Sequence, residues 1–374
     1  MQRVLHVSEA PELGIFSVLN EFAREQRARD YDVHILGARK MRRLAGVHHH
    51  DWSLRRGRPS SYLRAMLELR HTIREVQPDV IHLHSFLAGF FGRLPLLPGA
   101  ADVPVVYQPH AWSFDVFGSP PVANVLRAWE RLGSRRTSVL VANCSDELEE
   151  GRQVGIHNPA VVLGVAINTD HFTPVDEAAR QRYRRDLGVG MPSMLLCLGR
   201  LARQKGQDQL VRAWEQAPIP DTELVFVGVK DGAYLRRLAP TQWGTTIKAI
   251  GPQDDVRPWI WACDALVLPS RYDTVSLAVP EAMACARPAV ATRVNGVEEI
   301  LIRGSQSAGG AVVPLGDMSE LLAQCRRLLS DRELGQCRGQ AARKRAVELF
   351  TREAVVDRLD EAYRQAMKET AART

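Results

Sequence analysis

Arg200 and Lys205 stand in the stretch Gly199-Arg200-Leu201-Ala202-Arg203-Gln204-Lys205-Gly206, between a short apolar run, Met194–Leu198, and a helix-like segment from Gln209 to Trp214. A strand-to-helix loop of this kind gathers side-chain cations and the amide donors of a helix start in one place. That combination suits both phosphates of a diphosphate. A second run, Leu268-Pro269-Ser270-Arg271-Tyr272-Asp273-Thr274-Val275-Ser276-Leu277-Ala278-Val279-Pro280-Glu281, again follows an apolar strand and opens a helix. The spacing puts Asp273 on the loop and Glu281 about a turn inside the helix. An ionised Glu281 has acceptors on both oxygens and matches the diol of a ribose. The amides of Val275, Ser276, Leu277 and Ala278 would then lie near phosphate and sugar.

Two other clusters invite a reading. His48-His49-His50 is a metal candidate by residue type, but no acidic or cysteine partner sits at ligand spacing, so a solvated loop is expected and no metal is assigned. Arg39, Lys40, Arg42, Arg43, Arg55, Arg56 and Arg58 face only Asp51 within their stretch. Such a surplus attracts anionic headgroups or polyphosphates, or is simply a solvated face.

The elements that must position these residues follow from the apolar pattern. A chain of 374 residues, 45% hydrophobic and 25% charged, is long enough for two domains, and its formal charge of +6 is modest for that size. Val4–Val7, Val33–Leu36, Val80–Leu83, Val103–Tyr107 and Val139–Ala142 read as strands, and Ser60 to Val76 as a helix with Leu63, Met66, Leu67, Ile73 and Val76 on one face. The series restarts with Met194–Leu198, Leu224–Val227, Ile247–Ile250, Ala265–Leu268 and Ala289–Ala291. This alternation predicts α/β architecture with parallel sheets: residues 1–175 as one Rossmann-like domain, 176–350 as a second, and a last helix from 351 to 374, free to pack on either, with the ligand cleft between the two halves. Thr351 caps that helix, which carries Val355, Val356, Leu359, Ala362, Tyr363 and Met367. No run reaches the length of a spanning helix, Met1–Val7 reads as a strand rather than a leader, and six scattered cysteines without a CxxC pair fit a reducing cytosol.

Gly199-Arg200…Lys205-Gly206 together with Asp273…Glu281-Ala282-Met283-Ala284 closely resembles glycosyltransferase family 4, the retaining, nucleotide-sugar-dependent enzymes with two facing Rossmann-like domains known as the GT-B fold. Pro78-Asp79-Val80-Ile81-His82-Leu83-His84-Ser85, Gly251–Val256 with Ala262–Ala265, and Asn295–Ile300 resemble further stretches of that family, in order and spacing. The resemblance implies that Arg200 and Lys205 clamp the diphosphate, Glu281 contacts ribose, and Asp273 meets the donor sugar where the family has glutamate. It also implies that His110, in Gln108-Pro109-His110-Ala111-Trp112, contacts the transferred sugar near the reacting bond, and that Gly14 closes on the donor phosphates. Two departures are plain. The first loop, Glu9 to Gly14, offers one glycine, and Asp273-Thr274-Val275-Ser276 lacks both glycines of the family's EGFG.

The implied reaction is hexosyl transfer from a nucleotide-diphosphate sugar to a hydroxyl acceptor. Two implied acceptors are a lipid-linked saccharide of cell-surface polysaccharide synthesis, with the protein peripheral on the inner membrane face, and a small metabolite. No carboxylate nucleophile is paired with an acid as in a retaining glycosidase, so same-face displacement is expected, with the leaving diphosphate taking the acceptor proton. Two side-chain cations stand where a divalent ion would act, no DxD-type cluster stands in a plausible position between the two expected domains, and neither a cofactor nor a nucleic-acid partner is expected. A catalytically silent nucleotide-sugar-binding protein and an epimerase are the competing readings. A nicotinamide dehydrogenase lacks its GxGxxG after the first strand.

Overall fold

The computed structural model describes residues 1–10, 14–55, 57–94, 103–116, 119–302 and 309–372; Arg56 of the basic stretch and residues 11–13 of the first loop lie outside them. The chain divides into two compact units, Met1–Ala166 with Arg352–Thr374, and Ile167–Thr351.

The first unit runs β1 (Arg3–Ser8), α1 (Gly14–Ala28), β2 (Asp32–Ala38), β3 (His48–Trp52), α2 (Tyr62–Val76), β4 (Val80–His84), α3 (Ser85–Gly92), β5 (Val105–Gln108), α4 (Ser113–Val116), α5 (Pro120–Ser134), β6 (Val139–Ala142), α6 (Ser145–Gln153) and β7 (Ala160–Val162). Among the described residues its strands form one parallel sheet in the order β3-β2-β1-β4-β5-β6-β7. Strands covered on both faces are apolar throughout rather than alternating, and every residue of β5 and β6 is buried. Polar exceptions include His6 and Ser8 in β1, His82 and His84 in β4 and Gln108 in β5, all fully buried.

The second unit runs α7 (Glu177–Asp186), β8 (Ser193–Leu198), α8 (Gln207–Gln216), β9 (Thr222–Val227), α9 (Ala233–Leu238), β10 (Ile247–Ile250), α10 (Arg257–Ala262), β11 (Ala265–Leu268), α11 (Ala278–Ala284), β12 (Ala289–Thr292), α12 (Val297–Leu301), β13 (Gly310–Val313), α13 (Met318–Ser330) and α14 (Arg332–Leu349). Its sheet has the order β10-β9-β8-β11-β12-β13, again parallel. Helix α15 (Arg352–Ala371) returns to the first unit and buries Val355, Val356, Leu359, Ala362, Tyr363 and Ala366. No helix among the described residues is long and apolar enough to cross a membrane. None of the six cysteines forms a disulfide, and five of them are buried.

Three elements differ from the sequence-based expectation. His48-His49-His50 is not a loop: it opens β3, which pairs in parallel with β2 through His34↔His48 and Leu36↔His50. Trp52 anchors the strand, 2% exposed, with its indole Nε1 donating to Ala65 O at 2.9 Å. In α2 the buried residues are Ala65, Leu69, Thr72, Ile73 and Val76, while Leu63 and Leu67 are 65% and 54% exposed. The helix carries two apolar stripes, and the one with smaller side chains faces the sheet. Strand β13 begins at Gly310, where a Cβ would stand 1.8 Å from Ala289 O, so the residue that permits this pairing also disguises the strand.

Candidate functional site

In each sheet the strand order reverses between two neighbours, β1 and β4 in the first unit and β8 and β11 in the second. Loops leaving the carboxyl ends of such a pair run to opposite faces and open a crevice, which is where open α/β sheets bind ligands. In the second unit these are the loop from β8 to α8, carrying Arg200 and Lys205, and the loop from β11 to α11, carrying Asp273 to Leu277.

The two loops are joined by polar side chains. Lys205 Nζ donates to Asp273 Oδ2 at 2.6 Å and lies 3.5 Å from Ser276 Oγ. Gln204 Nε2 donates to the other Asp273 oxygen at 3.3 Å, and Arg200 Nη2 donates to Gln204 Oε1 at 3.4 Å. Ser270 Oγ adds a third donor to Asp273 at 3.3 Å. Behind this row Arg271 grips Asp208 with bonds of 2.6 and 2.8 Å, and Gln209 Nε2 donates to Pro269 O at 2.7 Å. Gly206 sits at φ +66 with no space for a side chain, since a Cβ would come within 1.9 Å of Pro269 O, and this lets the loops touch.

Val275 adopts φ 49, a left-handed conformation that costs a β-branched residue about 1–2 kcal/mol. Its amide is committed to Asn295 O at 3.3 Å. Among the described residues the amides of Ser276, Leu277 and Ala278 make no hydrogen bond, so three donors rather than four remain for a ligand. Glu281, half-buried in the first turn of α11, has a carboxylate without a hydrogen-bond partner among the described residues, and burial pushes it up to about 8.

The first unit holds a row of imidazoles, with His6, His82 and His84 buried and His110 half-buried. His6 Nδ1 pairs with His84 Nε2 at 2.9 Å, and His84 Nδ1 pairs with His110 Nε2 at 3.0 Å. At the far end His6 Nε2 meets Gln26 Oε1 at 2.9 Å, while Gln26 Nε2 donates to the Tyr363 hydroxyl at 3.3 Å. That hydroxyl lies 2.9 Å from His82 Nδ1. Burial lowers His6 to about 4 and His110 to about 3, and holds His82 and His84 well below the usual range, so all four are neutral at pH 7. A neutral imidazole has one donor and one acceptor. With the Gln26 carbonyl accepting from His6, each ring in turn donates inward, and His110 is left with Nε2–H spent on His84 and Nδ1 free as an acceptor.

The loop carrying His110 is held from behind. Trp112 Nε1 donates to Glu147 O at 2.6 Å, and Ser113 Oγ to Glu130 at 3.0 Å. His110 and Ala111 both have positive φ, 56 and 126. Gly14 is the exposed first residue of α1. Beside it in the chain, Glu9 is buried and accepts from Ser85 Oγ at 2.6 Å and from the Ala88 amide at 3.2 Å, so a carboxylate caps α3 at this crevice. Gln204, Ser270, Glu9, Gln26 and the Arg271–Asp208 pair were missed by sequence reasoning. Only the glutamine spacing Gln204-Lys205-Gly206-Gln207-Asp208-Gln209 offered a signal for any of them.

Two parallel-sheet α/β units, each with its crevice at the strand-order reversal, define a protein of the GT-B class. A family model described as "Glycosyltransferase Family 4" matches residues 14–189, and one described as "Glycosyl transferases group 1" matches residues 192–331. The D-inositol 3-phosphate glycosyltransferase of Geodermatophilus obscurus is 30% identical over 325 residues, covering 79% of this chain and 68% of that protein. Sulfoquinovosyl transferase SQD2 of Arabidopsis thaliana is 25% identical over 305 residues, and the match spans 79% of this chain but 58% of that protein. Among solved structures, Anabaena HepE in complex with UDP and glucose superposes with a TM-score of 0.81 at 19% identity, covering 96% of this chain and 99% of the other. The chain belongs to glycosyltransferase family 4.

Proposed function

We propose that the protein moves a sugar from a nucleoside-diphosphate sugar to a hydroxyl acceptor, with retention of anomeric configuration. The observation that carries this is the joining of the two crevice loops through Lys205, Asp273, Gln204 and Arg200 beside the unpartnered carboxylate of Glu281. Lys205 has three donors and spends one firmly on Asp273, so it is already aimed when a diphosphate arrives. Arg200, Lys205 and the amides of Ser276 and Leu277 then stabilise the charge that grows on the leaving diphosphate, with no divalent ion needed there. Glu281 receives the ribose hydroxyls, and Asp273 and Val275 border the donor sugar. The bond from the anomeric carbon to the diphosphate breaks while the acceptor oxygen bonds on the same face, and a leaving-group oxygen takes the acceptor proton. His110 orients the sugar through its free Nδ1, and Gly14 adds backbone contact. The two relatives, both sugar transferases by name, and the UDP and glucose bound by HepE support this reading.

For the acceptor, the supporting feature is a cavity of about 840 Å³ in the first unit, lined by Arg39, Lys40, Arg55, Arg58 and Arg64 at the carboxyl ends of β2 and β3. With Leu63 and Leu67 exposed on α2 nearby in sequence, the surface combines cations and apolar side chains, as an anionic membrane carrying a lipid-linked saccharide requires. The same cavity favours a second reading, a small anionic acceptor such as the inositol phosphate in a relative's name. Release of nucleoside diphosphate from a panel of donors, with lipid-linked and soluble acceptors, tests the activity and separates the two. No release from any donor, with binding intact, would leave the silent nucleotide-sugar-binding reading.

A further inference from the structure

We propose that Asp32, His34 and His48 form a binding site for one first-row transition-metal dication of the zinc class, at the amino-terminal end of β2 and β3. Asp32 and His34 are two apart on β2 and so share a face of the sheet, and the register His34↔His48 puts the third residue on that same face. Asp32 Oδ1 lies 3.2 Å from His34 Nε2 and 3.6 Å from His48 Nε2, and the three ligand atoms all fall within 4.8 Å of one another. Ligands at the usual zinc distances stand about 3.3 Å apart along the edge of a tetrahedron. The His34 and His48 rings are stacked, with centroids 4.7 Å apart and planes 21° apart, so binding requires the exposed His48 ring to rotate until its lone pair meets that of His34.

The surroundings are those of a ligand set rather than of a chance cluster. His34 Nε2 is buried without a hydrogen-bond partner, although a carboxylate oxygen is close by. Its other nitrogen, Nδ1, pairs with His50 Nε2 at 3.1 Å. When Nδ1 donates to His50, the lone pair of Nε2 is turned toward Asp32, the arrangement by which a second imidazole fixes a ligand's tautomer. Arg3 Nε occupies Asp32 Oδ2 at 2.9 Å, which presents Oδ1 alone. A carboxylate part-neutralised by Arg3 beside two imidazoles suits zinc-class ions over calcium or magnesium, which need more oxygen ligands. The His48 side chain is 66% exposed, so an ion can enter and a water can complete the set.

The buried trio His6, His82 and His84 is the competing cluster. Both ring nitrogens of His6 and of His84 are already used in the imidazole row, and no solvent reaches them. Occupancy at Asp32, His34 and His48 would instead clip β3 onto β2. That edge strand has one buried residue, Trp52, and its carboxyl end lines the basic cavity.

The test uses the full chain with any affinity tag removed, dialysed against Zn²⁺ alone, with bound metal read by elemental analysis and Co²⁺ absorption reporting the coordination. The expected result is about one equivalent bound, with melting raised at saturating Zn²⁺. His48→Ala, at an exposed position that does not threaten folding, should weaken binding about tenfold or more and remove the melting shift. His71→Ala, an exposed histidine on α2, should change neither. Binding well below one equivalent at micromolar Zn²⁺, or full binding by His48→Ala, would overturn the site.

Discussion

Lys205 and Asp273 are held against each other before any ligand arrives, with side chains 18% and 9% exposed. Lys205→Ala therefore removes the cation facing the leaving group and also leaves a buried carboxylate short of its main partner. Turnover should fall by roughly 10²–10³ in Lys205→Ala and in Arg200→Ala, the usual loss when one donor to a developing anion goes. Steady-state release of nucleoside diphosphate measures it, and wild-type-like turnover in both variants would end the clamp assignment. Glu281 supports a second prediction with a definite sign. Burial pushes its carboxyl up to about 8, so it is largely protonated at neutral pH in the free protein. Two ribose hydroxyls donating to it favour the ionised form, so affinity for a nucleoside diphosphate should rise between about pH 6.5 and 8.5 with release of a proton. Glu281→Gln should bind about 1–3 kcal/mol more weakly and lose this pH dependence. Calorimetry in two buffers of different ionisation enthalpy decides it; a wild type with no proton release would mean Glu281 does not meet the diol.

Strands β1 and β4 exchange apolar side chains for His6, His82 and His84, and this makes the first unit sensitive to acid. Each histidine is lowered in the folded state, to about 4 for His6 and about 3 for His110, so the unfolded chain takes protons first as pH falls below about 6.5. The stabilisation is complete above that pH and drains away below it, at about 2 kcal/mol per histidine by pH 5. Glu147, pushed up to about 7 by burial, works in the opposite sense, as do Glu21 and Asp115, while burial lowers His34, His49 and His50 in the same sense as His6, His82, His84 and His110. Amide exchange in β1, β4 and β5 should therefore show clearly lower protection at pH 5.0 than at 7.5 after correction for intrinsic rates. Unchanged protection would show that the histidines ionise in place. Elements of this kind mark the limit of what the sequence discloses. The loops after β8 and β11 were legible because strand, glycine and helix signals are local and fix where Arg200, Lys205, Asp273 and Glu281 must lie. Strand β3 was not, because His48-His49-His50-Asp51-Trp52 gains strand structure only by pairing with β2. The imidazole row depends on Tyr363, brought by α15 from the far end of the chain, and no local pattern announces that. Periodicity in α2 pointed to Leu63 and Leu67, and packing chose Ala65 and Leu69 instead.

The exposed cluster Arg39, Lys40, Arg42 and Arg43 and the proposed nucleotide-binding residues Arg200, Lys205 and Glu281 fall in different units, and this division permits a prediction for the molecule as a whole. Arg39, Lys40, Arg42 and Arg43 are exposed in the first unit, and among the described residues Arg39 and Arg43 approach a carboxylate only at Asp51, 3.7 and 3.6 Å away. Contacts that long between exposed side chains hold little energy, so the cations remain available to a surface. Leu63 and Leu67 add an apolar pair on α2, one turn apart. Electrostatic attachment alone should fade as salt rises, because exposed charges beyond about 8 Å are screened at physiological ionic strength. Attachment that also inserts leucine should keep a salt-resistant remainder. Co-sedimentation with anionic vesicles across a salt series separates the two contributions. Replacing Arg39, Lys40, Arg42 and Arg43 by Gln should abolish binding at low salt, and Leu63→Ser with Leu67→Ser should remove only the salt-resistant part. Neither set should alter nucleoside diphosphate affinity, since Arg200, Lys205 and Glu281 belong to the other unit. If the unaltered protein ignores anionic vesicles even at low salt while turning over a soluble phosphorylated acceptor, the basic cavity serves that acceptor and the membrane reading fails.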